Sequence, residues 1–186
     1  FLKKFKSKKI IRNNDNLDLT GNPFIDSSNF NVLIKNNFFG KYTDLAKNFN
    51  ENGYCNLNIK DDTNWIRLIE DLKLKLEALE EFKKRDRNST KSIRFQDAWL
   101  HKKIDLVQKL AVHPTILNCL KILFGRDPFP FQTLNFPFGS KQHFHSDAIH
   151  FNSVPEGFMC GVWVALEDIH EDSGPLIYFP RSHKCP

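Results

Sequence analysis

The sequence has no run of about 18 apolar residues, the length that a membrane-spanning helix requires. Its first four residues, Phe-Leu-Lys-Lys, are followed by no apolar segment, so we predict no secretory signal. No two of its four cysteines have the Cys-x-x-Cys spacing of a zinc knuckle or a redox motif: Cys55, Cys119, Cys160 and Cys185. These absences favour reduced, mostly buried thiols in a cytoplasmic protein.

Positive charge is concentrated at one end of the chain. The net charge is +5, from 27 basic and 22 acidic residues. Six of the basic residues lie within the first twelve positions, where no acidic residue occurs, so the rest of the chain is close to neutral. A basic arm suits nucleic acid, an anionic membrane or an acidic carrier. We interpret it as a solvated tail and expect no nucleic-acid partner.

The first two thirds of the chain carry helical patterns. A short helix is predicted over 42–50, before a glycine. A longer one is predicted to begin at Asp62 or Thr63, because either residue suits an N-cap and apolar residues then recur through position 82 at helical spacing. Residues 105–110 and 114–124 are also predicted as helices; proline suits the first turn of the second, and a glycine its end.

The last third changes to strand patterns separated by turn residues. Strands are predicted at 54–59, 129–138, 142–151, 158–166 and 176–179. Helices followed by strands predict an α+β fold in which helices buttress a jelly-roll sheet. We expect a basic arm and irregular surface wrap over 1–40. A single domain would follow over 41–186, with its helical part at 41–125 and its strands at 126–186.

The most informative short motif is His145-Ser146-Asp147. In an extended strand, side chains two residues apart project from the same face, so His145 and Asp147 point together. An imidazole and a carboxylate are two of the three ligands of the facial triad that binds Fe(II). Many strands match such a motif by chance, and the motifs that follow it strengthen its interpretation as a metal site.

Two further motifs follow the histidine–aspartate pair at a definite spacing. They are Gly161-Val162-Trp163-Val164-Ala165-Leu166-Glu167-Asp168-Ile169, and Gly174-Pro175-Leu176 with the turn Pro180-Arg181-Ser182-His183-Lys184. In this order, the three motifs resemble the phytanoyl-CoA dioxygenase family of Fe(II)/2-oxoglutarate oxygenases. The resemblance is specific from about Phe131 to Lys184 and implies a double-stranded β-helix, the cupin-like jelly roll.

The resemblance implies a hydroxylase that uses Fe(II), 2-oxoglutarate as cosubstrate, and O2. The reaction would hydroxylate an unactivated C–H bond of a small-molecule, acyl-CoA or carrier-bound substrate. Relatives that halogenate have a small residue at the aspartate position, so Asp147 implies hydroxylation instead. His145 and Asp147 would be the metal ligands.

The third ligand is expected outside the region of these motifs. His143 shares strand parity with His145 and Asp147, but the run from His143 to Asp147 spans roughly 13 Å, too far for both ends to reach one metal without a bulge. In the family, the third ligand is a histidine on a later strand, followed by an arginine that binds 2-oxoglutarate. We therefore expect both residues beyond Pro186.

Three further residues are candidates for contact with the cosubstrate. Gln132 and Asn135 are amides in a phenylalanine-rich strand, and a buried amide needs hydrogen-bond partners. The cosubstrate, the substrate or neighbouring loops would supply them. Trp163 lies on the strand that passes the cofactor in the family, although packing in the core explains it equally well.

Candidates for substrate contact are His143 and His150, which we expect at the pocket or its rim, where plain solvation is an equal alternative. Arg181 occupies a turn position that is usually glycine in the family. Arginine resists the positive φ that glycine allows, so the turn is expected to be altered, or Arg181 to bind an anionic group of the substrate.

Two other functions are compatible with the sequence. A non-catalytic jelly-roll module would bind a ligand or protein in the same cleft without redox chemistry. A cupin-like metalloenzyme would bind another metal and would not use 2-oxoglutarate. Metal content and cosubstrate dependence distinguish these alternatives from the oxygenase.

Overall fold

A computed structural model describes residues 21–59, 62–84, 93–137, 139–140, 142–147, 151 and 153–184. Its helices and strands, in chain order, are α1 (Phe30–Lys35), α2 (Thr43–Asn52), α3 (Thr63–Glu77), α4 (Glu80–Lys83), β1 (Phe95–Gln96), α5 (Ala98–His101), α6 (Asp105–Ala111), α7 (Pro114–Phe124) and β2 (Leu134–Asn135). Short 3-10 turns occur at Phe24–Asp26, Gly40–Tyr42, Glu171–Ser173 and Ser182–Lys184. The described residues therefore form an α+β structure with few strands.

Helix α3 begins where its sequence predicts. The Asp62 side chain accepts hydrogen bonds from the backbone N–H groups of Asn64 (2.9 Å) and Trp65 (3.2 Å), so two donors at the helix start have partners. The apolar face of the helix buries Leu72 and Leu76. The predicted N-cap and buried face of this helix are confirmed.

Glycines end α2 and α7 in the same way. Gly53 has φ +82° and Gly125 has φ +73°, the left-handed conformation that lacks a steric penalty only for glycine. Pro114 occupies the first turn of α7, as predicted. Helix α6 also lies where its pattern was found, and the predicted helical scaffold is confirmed.

The core consists of two clusters of buried side chains. The N-terminal cluster contains Phe24, Ile25, Leu33, Phe39, Tyr42, Ala46, Cys119, Leu123 and Phe124. The middle cluster contains Leu72, Leu76, Phe95, Ala98, Ile104, Val107 and Leu110. Segment 158–166 spans both, because Phe158 and Cys160 pack on the first cluster while Val164 and Leu166 pack on the second.

Part of the segment predicted as an irregular wrap is helical. Helix α1 and the turn Phe24–Asp26 lie within 21–40, and the side chains of Phe24, Leu33 and Phe39 are buried. The prediction of irregular structure was wrong for this stretch, because its apolar residues pack against α2 and α7.

Strands β1 and β2 form a short antiparallel pair, with Phe95 opposite Asn135 and Gln96 opposite Leu134. Asp97 extends the pair: its N–H donates to the Thr133 carbonyl (2.9 Å), and its Oδ1 accepts from the Thr133 N–H (2.8 Å). This pairing joins the helical part of the chain to the segment that leads to the histidine–aspartate motif.

Most of the predicted strands do not form. Residues 54–59, 142–147, 158–166 and 176–179 form no strand, and the strand predicted at 129–138 is reduced to β2 in its described part. The physical reason is that, within the described ranges, no neighbouring segment forms a hydrogen-bond ladder with them, and an unpaired strand is not stable in water. Positions 138 and 148–150 of the predicted strands lie outside the described residues. The predicted double-stranded β-helix stays a prediction. No helix in the described part of the chain is long and apolar enough to cross a membrane.

Candidate functional site

The histidine–aspartate motif brings two potential metal ligands together. His145 Nε2 lies 3.4 Å from Asp147 Oδ1, with the two side chains 33% and 73% exposed. Metal–ligand bonds of about 2.0–2.2 Å place two ligand atoms that bind at right angles about 3 Å apart. The observed separation is close to that distance, so a metal ion fits this pair.

A hydrogen bond to a backbone carbonyl sets the tautomer of the neutral His145 ring. His145 Nδ1 lies 2.7 Å from the His143 carbonyl oxygen. A carbonyl oxygen only accepts hydrogen bonds, so Nδ1 carries the proton and Nε2 of the neutral ring does not. Metal-binding histidines commonly have this arrangement, in which the second ring nitrogen donates to a backbone carbonyl. His143 thus contributes through its backbone, while its side chain is exposed.

The second motif lies beside the carboxylate of the first. A Cβ atom built on Gly161 would lie 3.8 Å from Asp147 Oδ2. The start of the second motif therefore lies within ordinary contact distance of the carboxylate. Trp163, two residues further on, is 55% exposed. Its predicted contact with the cofactor stays a prediction.

The third motif contacts the segment that carries the two ligands. The rings of Phe144 and Phe179 pack edge to face, with their centroids 4.8 Å apart. Gly139 also packs closely on Gly174: a Cβ atom on Gly139 would lie 3.2 Å from the Gly174 carbonyl oxygen. The structure thus brings parts of the second and third motifs against the segment that carries His145 and Asp147.

The two amides predicted to contact the cosubstrate lie on or near β2. Asn135 is in the strand, and its Oδ1 is buried with no hydrogen-bond partner among the described residues. Gln132 precedes the strand and is half-buried. A buried amide without a partner is unfavourable, so Asn135 is suited to a ligand or a bound water.

The expectation that arginine would alter the turn at position 181 was wrong, and the Arg181 side chain contacts helix α2. Arg181 has φ +70°, so the turn keeps the glycine-like conformation despite the arginine side chain. The Arg181 guanidinium forms an ion pair with Glu51 at 3.4 Å. The backbone N–H of Arg181 donates to the Asn52 carbonyl (3.0 Å). His150, another predicted substrate contact, lies outside the described residues.

A second histidine–aspartate pair occurs in the next turn. His170 Nδ1 lies 3.3 Å from Asp172 Oδ2, with both side chains largely exposed. Here Nδ1 accepts a hydrogen bond from the Asp172 N–H (3.3 Å), unlike Nδ1 of His145, which donates. The described ranges contain no group of three His, Cys, Asp or Glu side chains able to hold a metal ion.

Three thiols lie near the N-terminal cluster. Cys55, Cys119 and Cys160 are free thiols, and Cys119 is buried. Burial raises the pKa of Cys55 and Cys119 to about 11 and that of Cys160 to about 12, and neighbouring thiols add to the shifts of Cys119 and Cys160. These groups are therefore protonated at neutral pH, which slows their reaction as nucleophiles. Their reduced state stays a prediction. Cys185 lies outside the described residues.

Comparison with known proteins gives one match. The family model for phytanoyl-CoA dioxygenase matches residues 49–186. No curated protein and no solved structure matches the chain. The family consists of Fe(II)/2-oxoglutarate-dependent oxygenases and generally has a cupin-like jelly-roll fold. The match covers most of the chain and all three motifs, and the chain belongs to the phytanoyl-CoA dioxygenase family.

Proposed function

We propose that the protein is a hydroxylase in which His145 and Asp147 bind Fe(II). The substrate would be a small-molecule, acyl-CoA or carrier-bound compound with an unactivated C–H bond. Bound Fe(II), with 2-oxoglutarate and O2, would supply the oxidising power for this hydroxylation. The protein's own residues would hold the metal, orient the substrate and 2-oxoglutarate, and limit the access of water.

The observation that carries the proposal is the geometry of the ligand pair. His145 Nε2 is 3.4 Å from Asp147 Oδ1, and the bond from Nδ1 to the His143 carbonyl makes Nε2 the unprotonated nitrogen of the neutral ring. Two electron-pair donors facing each other at this distance are stabilised by a cation between them. Asp147 also occupies the position that halide would need, which favours hydroxylation over halogenation.

Three further residues are proposed to contact the cosubstrate. Gln132, Asn135 and Trp163 are our candidates for contact with 2-oxoglutarate, supported by the buried amide oxygen of Asn135 that has no partner in the described ranges. An amide offers a donor or an acceptor according to its flip, so it suits either a carboxylate or a water. We expect the third metal ligand beyond Pro186, on a further strand of the jelly roll.

The proposal is tested by cosubstrate turnover. The chain, and the longest product of its gene, are incubated with Fe(II), 2-oxoglutarate and air, and succinate is measured. We expect succinate to form with the longest product and to disappear in its His145→Ala variant. Equal succinate from wild type and His145→Ala would contradict the assignment of the ligand.

A non-catalytic binding module is the second candidate. Large apolar side chains in the ligand-bearing segment and in the third motif are exposed, including Phe144 (70%), Leu176 (63%) and Ile177 (60%). Exposed apolar surface of this kind marks ligand or protein contacts. Absence of succinate together with absence of Fe(II) binding would favour this module. Metal binding without 2-oxoglutarate dependence would favour a cupin-like metalloenzyme instead.

A further inference from the structure

Residues 174–184, here called the strap, connect the ligand-bearing segment to helix α2. At one end the strap packs against residues 139–147 in two places. Gly174 packs against Gly139, and the ring of Phe179 packs against that of Phe144, which lies between His143 and His145. A displacement of the strap therefore moves the ring that packs on Phe144, the residue that precedes His145.

At its other end the strap docks on the last turn of α2. The Arg181 N–H donates to the Asn52 carbonyl (3.0 Å), and His183 Nε2 lies 3.1 Å from the Asn50 carbonyl, to which it donates. The last carbonyls of a helix have no partners within the helix, so the strap supplies the donors they lack. The ion pair of Arg181 with Glu51 adds a side-chain contact at the same place.

Gly53 makes this docking possible. A Cβ atom at position 53 would lie 2.4 Å from His183 Nδ1 and 2.7 Å from the Tyr178 hydroxyl, closer than side chains can approach. The ring of Tyr178 also packs against Tyr54, with centroids 5.1 Å apart. Glycine is therefore required twice at position 53, for the left-handed end of α2 and for the close approach of the strap.

We propose that the end of α2, with Gly53 at its centre, is a positioning site for the metal-binding pair. It acts through the strap and through the contact of Phe179 with Phe144, and it touches neither metal nor substrate. The effect on metal binding rests on the proposed function, because His145 and Asp147 are the proposed metal ligands. The mechanical link itself is independent of any metal.

The test compares two glycine variants by hydrogen–deuterium exchange of the metal-free chain. Gly53→Ala disturbs the docking of the strap. Gly125→Ala is the matched control, because Gly125 also ends a helix with positive φ and its added Cβ would meet a side chain, that of Phe24, at 2.7 Å. Lost packing raises local hydrogen exchange, so we expect Gly53→Ala to speed exchange by about fivefold or more in both 174–184 and 142–147. In the control Gly125→Ala, exchange in 142–147 should stay within about twofold of wild type.

Three results would overturn the proposal. Faster exchange of the strap alone would show that the ligand segment is held by something else. Equal acceleration of 142–147 in both variants would reduce the effect to general destabilisation. Unchanged exchange in both segments would remove the link. If Gly53→Ala does not fold, His183→Ala, which removes the bond to Asn50, is judged by the same three criteria.

A second measurement separates this inference from the proposed function. The longest gene product is titrated with Co(II), an air-stable substitute for Fe(II). Loss of an outer contact of a metal site weakens binding by about 10–100-fold, so we expect a shift of about tenfold for Gly53→Ala and none for Gly125→Ala. Equal Co(II) affinity in wild type and Gly53→Ala would overturn the positioning role. A wild-type protein that binds no Co(II) would overturn the proposed metal site, and the exchange result would still decide the mechanical link.

Discussion

Replacing Asp147 by asparagine removes the charge of the proposed ligand while keeping its shape. The side chain is 73% exposed, so its interaction with a metal ion is calculated in a water-like medium. A dication about 2.1 Å from one negative charge is then stabilised by about 3–4 kcal/mol. Losing that attraction corresponds to a decrease in metal affinity of about 100- to 1,000-fold.

The assay is a Co(II) titration of wild type and Asp147→Asn by calorimetry. Asp172→Asn is the matched control, because Asp172 also pairs with a histidine two residues earlier, at 3.3 Å, and is even more exposed. We expect the control to bind Co(II) like the wild type, and Asp147→Asn to bind it far more weakly. The reasoning is refuted if Asp147→Asn keeps wild-type affinity, or if both variants lose the same amount.

Three other predictions concern the scaffold and its thiols. Leu72→Ala, at a fully buried position, should lower the free energy of unfolding in urea by about 2–5 kcal/mol, and Leu74→Ala, at an exposed one, by less than about 0.5 kcal/mol; equal losses would contradict the assigned helix face. Because burial raises the pKa of the Cys160 thiol from 9.0 to about 12, its thiolate at pH 8 should be about a thousandfold scarcer than in the unfolded chain. Mass spectrometry should therefore find much slower alkylation of native Cys160, and equal rates would show that the thiol is not buried. The free energy of unfolding of Arg181→Gly should lie within about 1 kcal/mol of the wild-type value. Glycine relieves about 1 kcal/mol of backbone strain, and this gain offsets the loss of an exposed ion pair with Glu51 and the greater entropy of glycine in the unfolded chain. Arg181→Ala, which loses the ion pair and keeps the strain, should be less stable than Arg181→Gly, and the reverse order would contradict the assigned φ.

The helices could be predicted because their signals are local. Asp62 and the apolar spacing behind it define α3, and Pro114 and Gly125 bracket α7. Each of these features acts within one or two turns of the chain. By contrast, helix α1 was not predicted, because its short apolar stretch becomes helical only where Leu33 packs into the N-terminal cluster.

The strands could not be predicted from the same kind of signal. A strand depends on a partner that is distant in sequence, so alternating apolar residues are compatible with any extended segment that packs on a core. Segment 158–166 has the expected apolar residues, and Phe158 and Val164 do pack inward. It nevertheless pairs with no other segment in the described ranges and stays irregular.

The proximity of the two candidate ligands could be predicted, and their role as metal ligands stays a prediction. His145 and Asp147 lie together as expected, although the strand on which the parity argument rested does not form in the described part of 142–151. The hydrogen bond from His145 to the His143 carbonyl depends on a local backbone conformation that no sequence pattern predicts. The contacts of Gly161 with Asp147 and of Gly53 with His183 join distant segments, and the only sequence signal for them is a glycine where a side chain was possible.

The central claim is that His145 and Asp147 bind iron for a reaction that uses 2-oxoglutarate. Its most direct test is an anaerobic absorption titration of this chain and of the longest gene product with Fe(II) and 2-oxoglutarate. The account predicts a visible charge-transfer band that requires both additions, appears with the longest product and is lost in His145→Ala. No band in either protein would contradict the claim and favour a binding module.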